Sequence, residues 1–138
     1  MRFVLDNSVT MRWFFGDGKP DELHYAKNVL ETMRNAVAIV PAIWGLEVSN
    51  VIAKAESKGL VTEARSAVFL ETLKELDIEA DFQTHLRSLD DILNLARRYG
   101  LSSYDASYLE LALRENLPFA TLDEDLIKSA KKAGIKIY

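Results

Sequence analysis

The 138-residue chain has no cysteine, which excludes disulfides, thiolate catalysis, iron–sulfur clusters and cysteine-ligated zinc. Such a composition suits a reducing compartment. No apolar run approaches the roughly 18 residues needed to cross a bilayer. The opening Met1-Arg2-Phe3-Val4-Leu5-Asp6 puts an acid where a secretory signal needs its apolar segment. A cytoplasmic protein with no membrane partner is expected. Repeats, low-complexity tracts and linker-like stretches are missing too, so a single domain over residues 1–138 is expected. A surplus of positive charge is also lacking: 17 Lys and Arg face 21 Asp and Glu, for a net charge of −4. That excludes a protein coated with phosphate-binding lysines.

What is present is the composition of a folded domain, 49% hydrophobic and 28% charged. At this length a domain buries roughly two-thirds of its unfolded surface. Arg2–Leu5 is a short apolar run that reads as a buried strand ended by Asp6. A short helix is expected around Thr10–Phe15 and another over Asp21–Met33, with Leu23, Ala26, Val29, Leu30 and Met33 on one stripe. Ala36–Val40 is a second apolar strand. Helices follow over about Ile43–Lys58 and Thr62–Leu76, and Ile78–Ala80 reads as a short edge strand. Leu89–Tyr99 is helical and ends at Gly100, a good left-handed cap. Ser102 or Ser103 caps a helix to about Glu115. Pro118–Leu122 is a strand, Glu124–Ala133 a helix, and Ile135–Tyr138 a last strand.

Strands that are apolar throughout and alternate with helices imply a parallel sheet covered on both faces. The expected fold is α/β, a three-layer α/β/α sandwich with a mostly parallel central sheet. In such sheets the ligand site lies outside the carboxyl ends of the strands.

Asp6 and Asp123 each directly follow a strand and so belong to that rim. Read singly, Asp6 serves equally well as a turn acid and Asp123 as a helix N-cap. Asp125 and Glu124 lie in a first turn, where the helix dipole favours acids in any case. Asp105, third in the helix after Ser102, fits a capping box. Yet Leu109, Ala112 and Leu113 lie on its side of the helix. Glu47 has Ile43, Trp44, Asn50 and Val51 as helical neighbours, and Lys54 is two turns away. Burying that carboxylate costs several kcal/mol unless a cation or donors meet it, on the order of the penalties for buried ions. Glu47 therefore needs a cation from elsewhere in the fold.

The set says more than its members. Two acids at strand ends and two on apolar helix faces converge if those helices pack on the same rim, and such a cluster requires a counter-charge. Oxygen ligands without a thiol, and with His24 and His85 both in polar surroundings, point to magnesium or manganese rather than zinc. Setting the four acids aside leaves equal numbers of each sign. Nucleic-acid binding then becomes a local, metal-assisted contact.

Four segments resemble, in order, the four motifs of PIN domains: Leu5-Asp6-Asn7-Ser8-Val9; Trp44-Gly45-Leu46-Glu47-Val48-Ser49-Asn50; Ser103-Tyr104-Asp105-Ala106-Ser107-Tyr108-Leu109; and Ala120-Thr121-Leu122-Asp123-Glu124-Asp125-Leu126. Order and spacing are similar over essentially the whole chain. The compact length is most similar to the VapC-type toxins of prokaryotic toxin–antitoxin pairs. The resemblance implies an acidic site of Asp6, Glu47, Asp105 and Asp123, with Asp125 as an auxiliary ligand. Ser8 and Thr121 would support the acids by hydrogen bonds. It implies a Mg2+-dependent endoribonuclease, with Mn2+ as a substitute, using one ion or two about 4 Å apart. Asp6 and Asp105 are the first choice as direct ligands. The implied partners are an RNA substrate, an antitoxin whose tail covers the acidic groove, and a second copy of the chain.

The run Trp13-Phe14-Phe15 reads either as that dimer contact or as an enlarged local core. Arg12, Lys54, Lys58, Arg65 and Lys128 are candidate phosphate contacts or solvated faces. A receiver domain needs an acidic pair after the first strand, and Asn7 follows Asp6. A haloacid-dehalogenase-like phosphatase needs a second aspartate where Ser8 stands. A non-catalytic PIN-like module that binds RNA or protein keeps all the same acids.

Overall fold

The computed structural model describes every residue from Met1 to Tyr138. Its strands are β1 (Arg2–Leu5), β2 (Val37–Pro41), β3 (Ile78–Asp81) and β4 (Phe119–Ala120). They form one wholly parallel sheet in the order β3-β2-β1-β4. Phe3 pairs with Ala38, and Leu5 with Ala120.

Alternation along the strands splits the core into two layers. Phe3, Leu5, Ala38 and Val40 pack with Val9, Ala26, Val29 and Met33, so α1 (Asn7–Phe15) and α2 (Pro20–Thr32) cover one face. Val4, Ile39 and Phe119 pack with Tyr108, Leu109, Leu111, Leu126 and Ala130, so α7 (Ser103–Glu115) and α8 (Glu124–Lys132) cover the other. This is the expected three-layer sandwich. A smaller core of Met11, Phe14, Val48, Ile52 and Leu73 joins α1 to α3 (Trp44–Ser57) and α4 (Glu63–Glu75).

The sheet order positions the site. From β1 the chain steps outward to β2 and β3, then returns to add β4 on the opposite side of β1. The connections therefore diverge at the carboxyl ends of β1 and β4, which makes a crevice there. α7 is held across this region by Arg114. Its guanidinium donates to Glu110 (2.7 Å) in its own helix and to Asp81 (2.6 Å) at the end of β3. Glu110 is buried and would be costly without that partner.

Several boundaries differ from the sequence reading. The first helix starts at Asn7 rather than Thr10, directly after Asp6, because the Asp6 carbonyl already accepts from Val9 N (3.1 Å) and Thr10 N (3.4 Å). The helix expected from Leu89 starts at Thr84 as α5 (Thr84–Arg87). It passes through a π turn over Ser88–Ile92 into α6 (Leu93–Tyr99). The wide turn shifts the helical phase, so that Ile92 is buried while Leu86 and Leu89 stay outside. The expected last strand is reduced to one bridge between Phe119 and Ile137. β4 is only two residues long, because at Thr121 the chain leaves the ladder and turns into the crevice.

In the run Trp13-Phe14-Phe15, Phe14 belongs to the smaller core while Trp13 and Phe15 pack against it partly buried, in keeping with the enlarged local core. Trp13 Nε1 donates to Ala26 O (2.7 Å), and the Phe14 ring lies 4.8 Å from Phe15 and 4.6 Å from Phe69. Leu30, expected on the buried stripe of α2, is 38% exposed.

Candidate acidic site at the strand ends

Asp6 sits at the N-cap of α1 but makes no side-chain cap bond. It is 5% exposed. Its Oδ2 accepts from Ser8 Oγ (2.6 Å) and from Thr121 Oγ1 (2.8 Å). Each hydroxyl also accepts a backbone N–H, Ser8 Oγ from Leu122 (3.0 Å) and Thr121 Oγ1 from Asp123 (3.1 Å). A hydroxyl has one proton to give. With their lone pairs already engaged by amides, both hydroxyls direct that proton at Asp6. Ser8 and Thr121 thus both hydrogen-bond Asp6.

Asp123 caps α8 through Oδ1, which accepts from Leu126 N (2.9 Å), so the ordinary N-cap role holds for it. Asp105 lies in the first turn of α7. Ser102 Oγ accepts its backbone N–H (3.1 Å), while its carboxylate borders the crevice beside Asp123, Asp6 and Asp125. Asp125 is exposed on the first turn of α8. Glu47, in the first turn of α3, is half-buried rather than enclosed. Its Oε1 accepts from the Tyr108 hydroxyl (2.6 Å). The protein thus meets Glu47 with a neutral donor and no basic side chain.

Electrostatics ties these acids together. Burial raises the Asp6 carboxyl above the ordinary 3.8, the Ser8 and Thr121 hydroxyls pull it partly back, and Asp123 pushes it further up. Burial raises Glu47, the Tyr108 hydroxyl opposes this, and Asp6 and Asp105 add to it. Asp105 is pushed up to about 6, by burial first and then by Asp123, Asp6 and Asp125. None of the ion pairs in the protein reaches any of the five acids. The cluster therefore carries uncompensated negative charge in oxygen donors alone, the donor set a hard divalent cation prefers. No three of these carboxylates converge tightly enough to grip one ion as they stand. A bound ion would keep waters among its ligands, as Mg2+ does readily.

The two histidines are exposed. Of the candidate phosphate contacts, Arg12 is engaged by Asp17 and Glu22, while Arg65 donates to Phe14 O (3.2 Å) and lies over the Phe14 ring. Lys54, Lys58 and Lys128 remain exposed and unpaired. Two tyrosines were given no role by the sequence. Tyr108 stands in the third PIN-like motif, one turn after Asp105 on an apolar face. Tyr25, whose buried hydroxyl lies beside the Thr121 backbone, is pushed up to about 12 by burial, with Tyr138 and Asp6 close enough to contribute. Nothing in the pattern of α2 announced it.

Residues 3–132 match the family model described as PIN domain. No curated protein matches the chain. Among solved structures, PAE2754 from Pyrobaculum aerophilum is 18% identical, with a TM-score of 0.71 over 94% of this chain and 84% of that one. VapBC2 from Rickettsia felis, bound to a DNA fragment from their promoter, is 16% identical, with a TM-score of 0.67 over 100% and 98%. FitAcB from Neisseria gonorrhoeae is 17% identical, with a TM-score of 0.61 over 100% and 96%. At such identities the likeness is one of fold.

Proposed function

The chain belongs to the PIN-domain family, and from that premise we propose that it is a metal-dependent endoribonuclease, the toxin of a VapBC-type toxin–antitoxin pair. PIN domains are generally nucleases and typically use divalent metal ions. The observation that carries the proposal is the cluster of Asp6, Glu47, Asp105 and Asp123, without a counter-charge, in the crevice beside β1 and β4. A like-charge cluster around one buried carboxylate is costly to keep unless a cation completes it.

Asp6 and Asp105 are the direct ligands proposed for Mg2+, or Mn2+ in its place. Glu47 and Asp123 act directly or through water, and Asp125 assists. When bound, the ion supplies an activated water and offsets charge on the attacked phosphate. The protein's share is orientation: Ser8 and Thr121 fix Asp6 by its Oδ2, and the cap bond to Leu126 N fixes Asp123. In-line attack by water leaves a 5′-phosphate and a 3′-hydroxyl. Incubation of the partner-free protein with labelled structured RNA is expected to yield those ends with Mg2+ or Mn2+, and none with chelator. Cleavage that persists in chelator would overturn the proposal. The alternative, a non-catalytic PIN-like module that binds RNA or protein, draws on one observation, that no three acids converge on one point.

The site of action proposed is cytoplasmic, and the whole chain acts as one domain. No helix is long and apolar enough to cross a membrane. The likeness in fold to VapBC2 and FitAcB supports an antitoxin partner. A basic side chain on its tail would satisfy the same carboxylates as the metal. A second copy of this chain is the other partner, and beside the partly exposed Trp13 and Phe15 the fold offers it a second apolar surface. Phe82 in the turn before α5, Leu86 in α5 and Leu89 in the π turn are 87%, 72% and 85% exposed. Tyr104 and Ile43 line the cleft beside α5, and the exposed Leu46 stands one turn from Ile43. Phe82, Leu86, Leu89, Tyr104 and Leu46 are all large and exposed, and exposed apolar side chains gathered this way mark interaction surfaces. Phe82→Asp combined with Leu86→Asp is expected to convert a dimer to a monomer by light scattering. A wild-type mass of one chain at every concentration would contradict the dimer.

A further inference from the structure

Tyr108 is completely buried. Its ring stacks on Phe119 of β4 at 6.1 Å and 15°, among Val4, Leu109 and Leu126. Such a position calls for phenylalanine unless the hydroxyl has a task, because a buried hydroxyl must find a partner. The partner is Glu47 Oε1 (2.6 Å), on a helix 61 residues away in sequence. The backbone amide of Asn7, next to Asp6, lies close to the same hydroxyl. One phenol therefore links the three segments that carry Asp6, Glu47 and Asp105.

We propose that Tyr108 is a positioning residue that fixes the carboxylate of Glu47 toward the metal site without neutralising it. The inference rests on reading Glu47 as a partner of the metal. A lysine or arginine at this place would hold Glu47 equally well but would compete with a divalent cation for its charge. A phenol gives one hydrogen bond to one oxygen, leaving the carboxylate charge to the ion. The rigid, stacked ring sets the direction of that bond, as supporting hydrogen bonds do for metal ligands generally.

The test is Mn2+ binding by the RNA-free protein, measured by titration calorimetry. Tyr108→Phe keeps the ring and removes only the hydroxyl. It is expected to weaken binding on the order of 10- to 100-fold, the usual effect of losing a bond that orients a ligand. In a Glu47→Gln background the same change is expected to cause no further loss. General loosening of α7 would weaken binding in both backgrounds, so the four-protein comparison separates positioning from packing even if Tyr108→Phe lowers stability. Unchanged binding in Tyr108→Phe, or an equal loss in both backgrounds, would overturn the positioning role. Asp6→Asn is the companion control. If it binds Mn2+ as the wild type does, the metal-site reading falls and the inference with it. If it loses binding while Tyr108→Phe does not, only the inference falls.

Discussion

Asp6→Asn is expected to lower RNA cleavage on the order of 1,000-fold while raising the stability of the metal-free protein. Asparagine keeps the volume of the side chain and an oxygen that accepts from Ser8 and Thr121. What it removes is the charge. A divalent ion contributes several kcal/mol of stabilisation to the attacked phosphate, and each 1.36 kcal/mol is about tenfold in rate. Loss of a principal ligand is therefore a loss of roughly three powers of ten. The same charge is a burden without the ion: Asp6 is 5% exposed, and Asp123 repels it. Relief of that burden raises the melting temperature of the metal-free variant. Activity and thermal melts, measured on the same preparations, check both halves. A variant that is inactive and also destabilised would indicate that Asp6 works as a structural hydrogen-bond centre instead.

The second large effect is an inverted dependence of stability on pH. Carboxylates that are paired in a fold usually titrate low and stabilise it as pH rises. Here the Asp6, Glu47 and Asp105 carboxyls are all raised, Asp105 to about 6 against an ordinary 3.8. Between about pH 4 and pH 6 the folded state therefore binds more protons than the unfolded chain. Stability is favoured at the low end of that window and declines as pH rises through the folded pKa values. The metal-free protein is expected to be more stable to denaturant at pH 5 than at pH 7, and Mn2+ at pH 7 is expected to remove the difference. An Asp6→Asn, Asp105→Asn double variant, which retains ion pairs such as Arg114–Asp81, isolates the part due to the cluster. Identical pH profiles for wild type and double variant would contradict this account.

Both effects come from residues whose placement was legible in the sequence to different degrees. Strands that are apolar throughout gave the parallel sheet, and a parallel sheet sends Asp6 and Asp123 to one rim whatever the details. Asp105 was ambiguous, because Ser102 capping and a place in the crevice satisfy the same pattern, and the structure shows Ser102 capping beside a carboxylate near the other acids. Glu47 was legible as a carboxylate in need of a partner, but the partner was not. Periodicity along one helix cannot reveal a hydroxyl arriving from another, and Tyr108 looked like any core aromatic. The same blindness left Trp13-Phe14-Phe15 open between a dimer contact and a local core, because what its rings meet, Ala26 O and Phe69, lies in other helices. The exposure of Leu89 was hidden by the π turn over Ser88–Ile92, which shifts the helical phase there. Boundaries failed where the chain leaves a ladder for the site, as at Thr121.

The most direct test of the central claim is cleavage of a labelled structured RNA by the wild type and by the Asp6→Asn, Asp105→Asn double variant, purified identically, in Mg2+, Mn2+ and chelator. The account predicts cleavage that requires the metal and is lost in the variant. Equal cleavage by both proteins would place the chemistry elsewhere and contradict the four-acid site.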